Sequence, residues 1–116
     1  MQLRYNDHMG KPVIVHLGTN SITAGRSSES DLVLFGDSVS RTHFTIRKWG
    51  NDYEIKDLNS ENGTFVNGQM IGIAKLKVGD RINAGSYVII YENKTPKPPN
   101  TVIRKIGQKM TSEDKG

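Results

Sequence analysis

Short runs of β-branched and aromatic residues, cut by glycine and asparagine, are the feature that most limits the folds open to this chain. No part of residues 1–93 shows the apolar spacing of three and four residues that a helix of convincing length requires. Because β-branched and aromatic residues favour strands and glycine and asparagine favour turns, the pattern predicts an all-β domain. The predicted strands are Gln2–Tyr5, Val13–Leu17, Ser21–Ala24, Leu32–Leu34, Phe44–Lys48, Tyr53–Asp57, Thr64–Val66, Arg81–Ile82 and Tyr87–Glu92.

Alternation of apolar and polar residues is clearest in two of these runs. Residues 44–46 are Phe-Thr-Ile and residues 53–55 are Tyr-Glu-Ile. This period of two is typical of a strand with one buried face and one wet face. Asn-Gly pairs at residues 62–63 and 67–68 are strong turn signals between strands. So many short strands in one small domain predict two stacked sheets, a β-sandwich.

Prolines mark the end of the predicted domain. Three of them, Pro96, Pro98 and Pro99, fall within residues 94–100. Proline suits neither a helix interior nor a central strand, and it stiffens extended linkers. We therefore predict a domain over residues 1–93 and a Pro/Lys-rich linker or flexible tail over residues 94–116.

The positive charge of the chain is concentrated in that tail. Residues 1–94 contain 11 Lys and Arg against 10 Asp and Glu, whereas residues 95–116 contain 5 against 2. A nucleic-acid-binding domain requires a basic stripe on the folded part. The nearly neutral domain argues against nucleic acid as a partner.

The chemistry available to the chain is restricted. It has no cysteine, which excludes a disulfide scaffold, a cysteine zinc site and a thiol nucleophile. Its histidines, His8, His16 and His43, match no zinc spacing, and no phosphate-cradling or catalytic motif occurs. We therefore expect no metal, no cofactor, no catalytic residue and no enzymatic activity.

Two observations concern the compartment. The longest apolar run, Tyr87–Tyr91, is far shorter than the roughly 20 residues that cross a bilayer. The first residues lack the basic stretch followed by an apolar run that a secretory signal needs. We expect a cytoplasmic protein that does not bind membranes.

Polar side chains gather in three long segments, here named loop one (residues 25–31), loop two (residues 36–43) and loop three (residues 58–64). Loops of a sandwich meet at its ends, where a rigid scaffold holds them as a binding surface. Arginines supply forked donors, serines supply hydroxyls, and glycines permit close backbone approach. This inventory suits an oxyanion, and its members are Arg26, Arg41, Ser28, Ser40 and Ser60.

Three segments, in this order, resemble the forkhead-associated (FHA) domain family. They are Gly25-Arg26, then Ser-Arg-Thr-His at residues 40–43, then DLNSENGTFVNG at residues 57–68, and residues 76–80 match the family's late turn. The resemblance covers roughly residues 1–93. It implies an eleven-stranded, antiparallel-type β-sandwich of the FHA/SMAD-like kind that binds phosphothreonine peptides through loops at one end.

The resemblance also implies roles for individual residues. Arg26 would contact the phosphate, Ser40 would donate its hydroxyl to another phosphate oxygen, and Arg41 would add a further donor. Asn62 would bind the peptide main chain. Framework positions are Gly25, which would allow the turn, His43, which would brace the loop bearing Ser40, and Gly63.

One position departs from the family pattern. Glu61 stands where the family often has a threonine or serine that helps to bind phosphate. Either this carboxylate points outward or pairs with a cation, or phosphate affinity is lowered. Ser60 is the candidate that would compensate for it.

The partners implied are phosphothreonine-containing proteins or peptides, the substrates of Ser/Thr kinases, to which the module would recruit its parent protein in signalling. We expect a monomer. The alternative function is a phospho-independent protein interaction or self-association module, which a buried, salt-bridged Arg26 would favour.

Overall fold

The computed structural model describes residues 1–93, which form eleven strands. Nine of them overlap the predicted strands. Their bounds are β1 Gln2–Asn6, β2 Pro12–His16, β3 Ile22–Gly25, β4 Leu32–Val33, β5 Phe44–Trp49, β6 Asp52–Asp57, β7 Thr64–Val66, β8 Gln69–Ile71, β9 Ile73–Lys75, β10 Arg81–Ala84 and β11 Tyr87–Glu92.

The strands form two sheets. One has six strands in the order β2-β1-β11-β10-β7-β8, and the other has five in the order β4-β3-β5-β6-β9. The predicted eleven-stranded sandwich is confirmed. Its strand pairs are antiparallel except for the short β3–β4 pair, which is parallel, so the antiparallel description does not extend to this edge of the five-stranded sheet.

The core lies between the sheets and follows the predicted alternation. Phe44, Ile46 and Ile55 are at most 1% exposed on the five-stranded sheet. Ile82 and Ile89 are completely buried on the six-stranded sheet. Each such side chain contributes about 1.5 to 3 kcal/mol by leaving water. This packed core fixes the strand ends from which the loops emerge.

Two strands, β8 and β9, were not predicted as strands. They are three-residue segments on either side of Gly72, and they lie at edges of the two sheets. Their side chains are largely exposed, with Met70 66% and Ile73 55% accessible. Edge strands this short bury too little to impose a period-two pattern on the sequence.

Pairing of the central strands brings loops one, two and three together. Ala24 near the end of β3 pairs with Phe44 at the start of β5, and Phe44 pairs with Asp57 at the end of β6. Because these three neighbouring strands alternate in direction, the loops that leave them at these residues lie at one end of the sheet.

The predicted linker or tail, residues 94–116, lies outside the described residues, as does the proline-marked boundary before it. Within residues 1–93 the structure contains no helix long and apolar enough to span a membrane.

Candidate functional site

Loop one and loop two are joined at Arg26. Its backbone amide donates to the carbonyl of Ser40 at 2.9 Å, and its Nε donates to the carbonyl of Val39 at 3.0 Å. The amide of Ser27 donates to the carbonyl of Arg41 at 3.1 Å. The two terminal nitrogens of the Arg26 guanidinium make no hydrogen bond within residues 1–93, and the residue is exposed. Arg26 therefore presents its forked end to solvent from a stem held by loop two.

The close approach of these loops requires Gly25. A Cβ atom at this position would lie 2.1 Å from the carbonyl oxygen of Arg41 and 2.8 Å from its carbonyl carbon. Gly25 is the last residue of β3, is buried, and does not adopt a positive φ. We expected Gly25 to allow a turn, but its backbone does not need the freedom of glycine. The position requires glycine for another reason: loop two passes too close to leave room for a side chain.

Ser40 connects loop two to loop three. Its Oγ accepts a hydrogen bond from the amide of Glu61 at 2.9 Å, and its own amide donates to Nδ1 of His43 at 3.1 Å. A hydroxyl that accepts in this way keeps its proton for donation. Ser40 is only partly buried. The Ser40 hydroxyl can therefore donate a hydrogen bond to a bound ligand.

His43 is buried and bridges the same two loops. Nε2 of His43 lies 2.9 Å from the carbonyl oxygen of Gly63. Because Nδ1 accepts from the Ser40 amide, Nε2 must carry the proton and donate it, which assigns the neutral Nε2–H tautomer. Nδ1 thus holds loop two together, and Nε2 joins loop two to loop three.

Loop three is ordered by Asp57, which the sequence analysis did not select as a site residue. Its carboxylate accepts from the amide of Ser60 at 3.1 Å, from the Ser60 hydroxyl, and from the Thr64 hydroxyl at 2.7 Å. Burial by itself would raise the pKa of Asp57, but these hydrogen bonds outweigh it and hold the pKa below its ordinary value. The signal that could have identified it is the Asp-x-x-Ser spacing, in which a carboxylate caps the turn that follows.

Ser60 has its hydrogen bonds directed inward. The hydroxyl donates its proton to Asp57 and accepts from the amide of Gly63 at 3.0 Å. A serine has one hydroxyl proton. In this conformation Ser60 has none left for a ligand.

Asn62 lies at the exposed tip of loop three. Its Nδ2 donates to the carbonyl of Ser38 at 3.1 Å, which ties the tip to loop two. The amide oxygen and the second N–H make no hydrogen bond within residues 1–93. Gly63, which follows, has a φ of 90°, a conformation that glycine adopts without strain.

Arg41 and Glu61 both project from this end without partners among the described residues. Each is exposed, and neither side chain takes part in a hydrogen bond or salt bridge within residues 1–93. Glu61 therefore does not pair with a cation of the described chain.

The structure thus brings Arg26, Ser40 and Asn62 onto one rim, together with Arg41. The rim offers guanidinium, hydroxyl and amide donors from loops that are fixed to one another. Charged and hydroxyl donors held in advance at an exposed rim suit the binding of an anion such as phosphate. No group of three His, Asp or Glu side chains in residues 1–93 is placed to hold a metal ion.

Comparison with known families agrees with this geometry. The family model of the FHA domain matches residues 22–85, more than half of the chain. The FHA domain of FhaA, solved in complex with the intracellular domain of Rv3910, is 35% identical with a TM-score of 0.69, covering 77% of this chain and 96% of that one. A second structure, from a study of phosphothreonine-dependent FHA domain interactions, is 33% identical with a TM-score of 0.69, covering 82% of this chain and 97% of that one.

Curated relatives include an oxoglutarate dehydrogenase inhibitor from Corynebacterium jeikeium. It is 36% identical over 77 residues, which are 66% of this chain and 54% of that protein. The glycogen accumulation regulator GarA from Mycolicibacterium smegmatis is 35% identical over 69 residues, or 60% of this chain and 44% of that protein. The chain therefore spans about half the length of the curated relatives it matches.

Proposed function

The chain belongs to the FHA domain family, and from this premise we propose that it binds phosphothreonine peptides through loops one, two and three. The observation that carries the proposal is the rim itself, where Arg26 and Ser40 are hydrogen-bonded neighbours. A phosphothreonine carries about −1.5 to −2 charges and three acceptor oxygens at neutral pH, and it needs several donors converging on it.

Three donors serve the phosphate in this proposal. Arg26 offers the two unengaged nitrogens of its guanidinium, and Ser40 offers the proton that its contact with Glu61 leaves available. Arg41, exposed beside them, adds the second cation. A fork of parallel N–H groups matches phosphate geometry better than a point charge does.

Asn62 serves the peptide backbone. Because one N–H donates to the carbonyl of Ser38, the carboxamide of Asn62 retains one donor and one acceptor. A carboxamide can pair with both the C=O and the N–H of a main chain, which fixes the direction of the bound peptide.

The remaining site residues keep the rim in shape. Gly25 lets loop two pass close to β3, His43 joins loop two to loop three, and Ser60 holds loop three together. We assign Ser60 to this framework rather than to phosphate binding, because its hydroxyl proton is engaged with Asp57. Gly63 contributes its carbonyl to His43 and its amide to Ser60.

The affinity expected from this inventory is moderate. Charge-assisted hydrogen bonds contribute about 1.5 to 3 kcal/mol each. Two or three of them, less the cost of ordering the peptide, fit a complex no tighter than micromolar, about −8 kcal/mol, and exclude a picomolar one. Such association is reversible and follows the phosphorylation state of the partner.

The known relatives support a regulatory role without catalysis. GarA is named a regulator and the corynebacterial protein an inhibitor, and the FhaA domain was solved with a partner domain. We propose that this domain likewise recruits its parent protein to substrates of Ser/Thr kinases in the cytoplasm. A buried, salt-bridged Arg26 would favour a phospho-independent module. Arg26 is instead exposed and forms no salt bridge within residues 1–93.

The test is a titration of residues 1–116 with a library of phosphothreonine peptides and their unphosphorylated twins, followed by fluorescence anisotropy. We expect micromolar binding of a subset of phosphopeptides and at least a thirtyfold loss without phosphate, the equivalent of about 2 kcal/mol. Equal affinity for both members of every pair would refute the proposal.

A further inference from the structure

Glu61 is an exposed acidic residue whose backbone lies at the edge of the proposed phosphate site. Its backbone amide donates to Oγ of Ser40 at 2.9 Å, the hydroxyl to which we assign a phosphate contact. The next residue, Asn62, is the one assigned to the peptide main chain. Glu61 thus lies between the two groups that would hold the phosphothreonine and its neighbours.

This carboxylate has no counter-charge in the described chain. Glu61 is exposed, and the salt bridges of residues 1–93 join other residues, Arg4 with Glu92 and Arg47 with Glu54. Arg26 and Arg41 are the cations of the three loops, and a phosphate would occupy them. Loops one, two and three carry four carboxylates in all, at Glu29, Asp31, Asp37 and Glu61.

A doubly charged phosphate and the Glu61 carboxylate repel each other when they share one rim. The repulsion is screened only in part, because the Debye length is about 8 Å at physiological salt. It is reduced when the ligand itself brings a cation to Glu61. The same carboxylate that weakens the binding of a neutral or acidic peptide therefore strengthens the binding of a basic one.

We propose that Glu61 is a specificity-determining residue that selects phosphothreonine peptides with Lys or Arg close to the phosphothreonine. This inference rests on the proposed function and defines its ligand class. Peptides with acidic residues at the same position bind more weakly, since they would add a third negative group. The pairing is exposed to solvent, so we expect an effect of about two- to fivefold, the range of surface ion pairs.

The experiment combines peptide and protein changes. One phosphopeptide that binds the parent protein is made with alanine at every flanking position from three before to three after the phosphothreonine. Lys or Glu is then placed at each position in turn. Each peptide is titrated against the parent protein, Glu61→Gln and Glu61→Lys by fluorescence anisotropy at low and at physiological salt.

Asp52→Asn is the matched control for loss of one negative charge. Asp52 is an exposed acidic residue that pairs with Trp49 at the far end of β5, opposite the loops. It should leave every ratio between peptides unchanged. Because Glu61 is exposed and uses only its backbone amide in the site, Glu61→Gln should keep the fold, which circular dichroism checks.

The result expected is a crossover. Lys at one or two flanking positions should tighten binding to the parent protein about two- to fivefold, and this gain should vanish in Glu61→Gln and reverse in Glu61→Lys. The all-alanine phosphopeptide should bind Glu61→Gln more tightly than the parent. Higher salt should shrink both differences.

Two failures are distinguishable. If phosphopeptides bind better than their unphosphorylated twins but Lys gives the same gain in the parent and in Glu61→Gln, the specificity role is overturned while the proposed function stands. If no phosphopeptide binds better than its twin, the proposed function is overturned, and the assignment of Glu61 falls with it.

Discussion

The backbone amide of Arg26 donates to the carbonyl oxygen of Ser40 at 2.9 Å, although the two residues are far apart in the sequence. This bond and the parallel one from Ser27 to Arg41 join loop one to loop two. The two residues that carry the guanidinium and the hydroxyl are therefore held next to each other before any ligand arrives. Binding then orders the peptide but not the site, which reduces the entropic cost of association.

Arg26→Ala should weaken phosphopeptide binding at least thirtyfold while leaving the fold intact. The change removes a cation from a desolvated charge pair, which costs about 2 to 5 kcal/mol, or at least thirtyfold in Kd. Calorimetric titration with a binding phosphopeptide measures it. Arg47→Ala is the matched control, because Arg47 is exposed on β5 and pairs with Glu54. An Arg26→Ala protein that binds like the parent would refute the phosphate role of Arg26.

Gly25→Ala should destabilise the domain and displace loop two. The added methyl group would meet the Arg41 carbonyl oxygen at 2.1 Å, a backbone atom that cannot rotate away. Overpacking of this kind costs about 1 to 3 kcal/mol in the free energy of unfolding. Urea denaturation measures the loss. Gly18→Ala provides the comparison, since its Cβ would meet nothing within 4 Å, and a loss as large at Gly18 would contradict the explanation.

Much of the fold follows from local sequence, for physical reasons visible in particular strands. β5 buries Phe44 and Ile46 and β6 buries Tyr53 and Ile55, so the alternation in residues 44–46 and 53–55 is imposed by the core. The three-residue edge strands β8 and β9 leave most of their side chains in solvent, so no such pattern develops. Alternation therefore predicts central strands and misses short edge strands.

The order of the motifs predicted which residues lie on the rim, but it did not predict the hydrogen bonds that connect them. The sequence marked Ser60 as a candidate phosphate ligand, because hydroxyls near an Asn-Gly turn look alike. Only the geometry shows that its proton goes to Asp57. The reason for Gly25 was equally hidden, because a close contact with Arg41 is made by a segment distant in sequence.

Ser40→Ala and Ser60→Ala should have opposite consequences. Ser40→Ala removes a hydrogen bond to the charged phosphate and should weaken binding by about 1.5 to 3 kcal/mol. Ser60→Ala leaves the Gly63 amide without its partner and should lower the free energy of unfolding by about 1 to 3 kcal/mol. Its affinity, measured below the onset of unfolding, should stay within about threefold of the parent's, a difference below about 0.7 kcal/mol. A large affinity loss with unchanged stability in Ser60→Ala would return Ser60 to the phosphate site.

Asp57 should contribute to the acid sensitivity of the domain. Its pKa is lowered in the folded state by the hydrogen bonds from Ser60 and Thr64, which outweigh its burial. The unfolded chain, with a pKa of about 3.9, therefore binds a proton more readily, and stability falls as pH drops. The contribution is fully present above the unfolded pKa and is lost as pH falls through the folded value.

Urea denaturation of the parent and of Asp57→Asn between pH 2 and pH 7 measures this term. Asp57→Asn should be less stable at pH 7, and the difference between the two proteins should shrink as the pH falls below about 4. Glu92→Gln is a positive reference away from the loops. Hydrogen bonds from Arg4 and Gln2 lower the pKa of Glu92 as well, so its stability difference from the parent should also shrink at low pH. A difference between parent and Asp57→Asn that stays constant across this range would show that the Asp57 carboxylate does not stabilise loop three through its charged form.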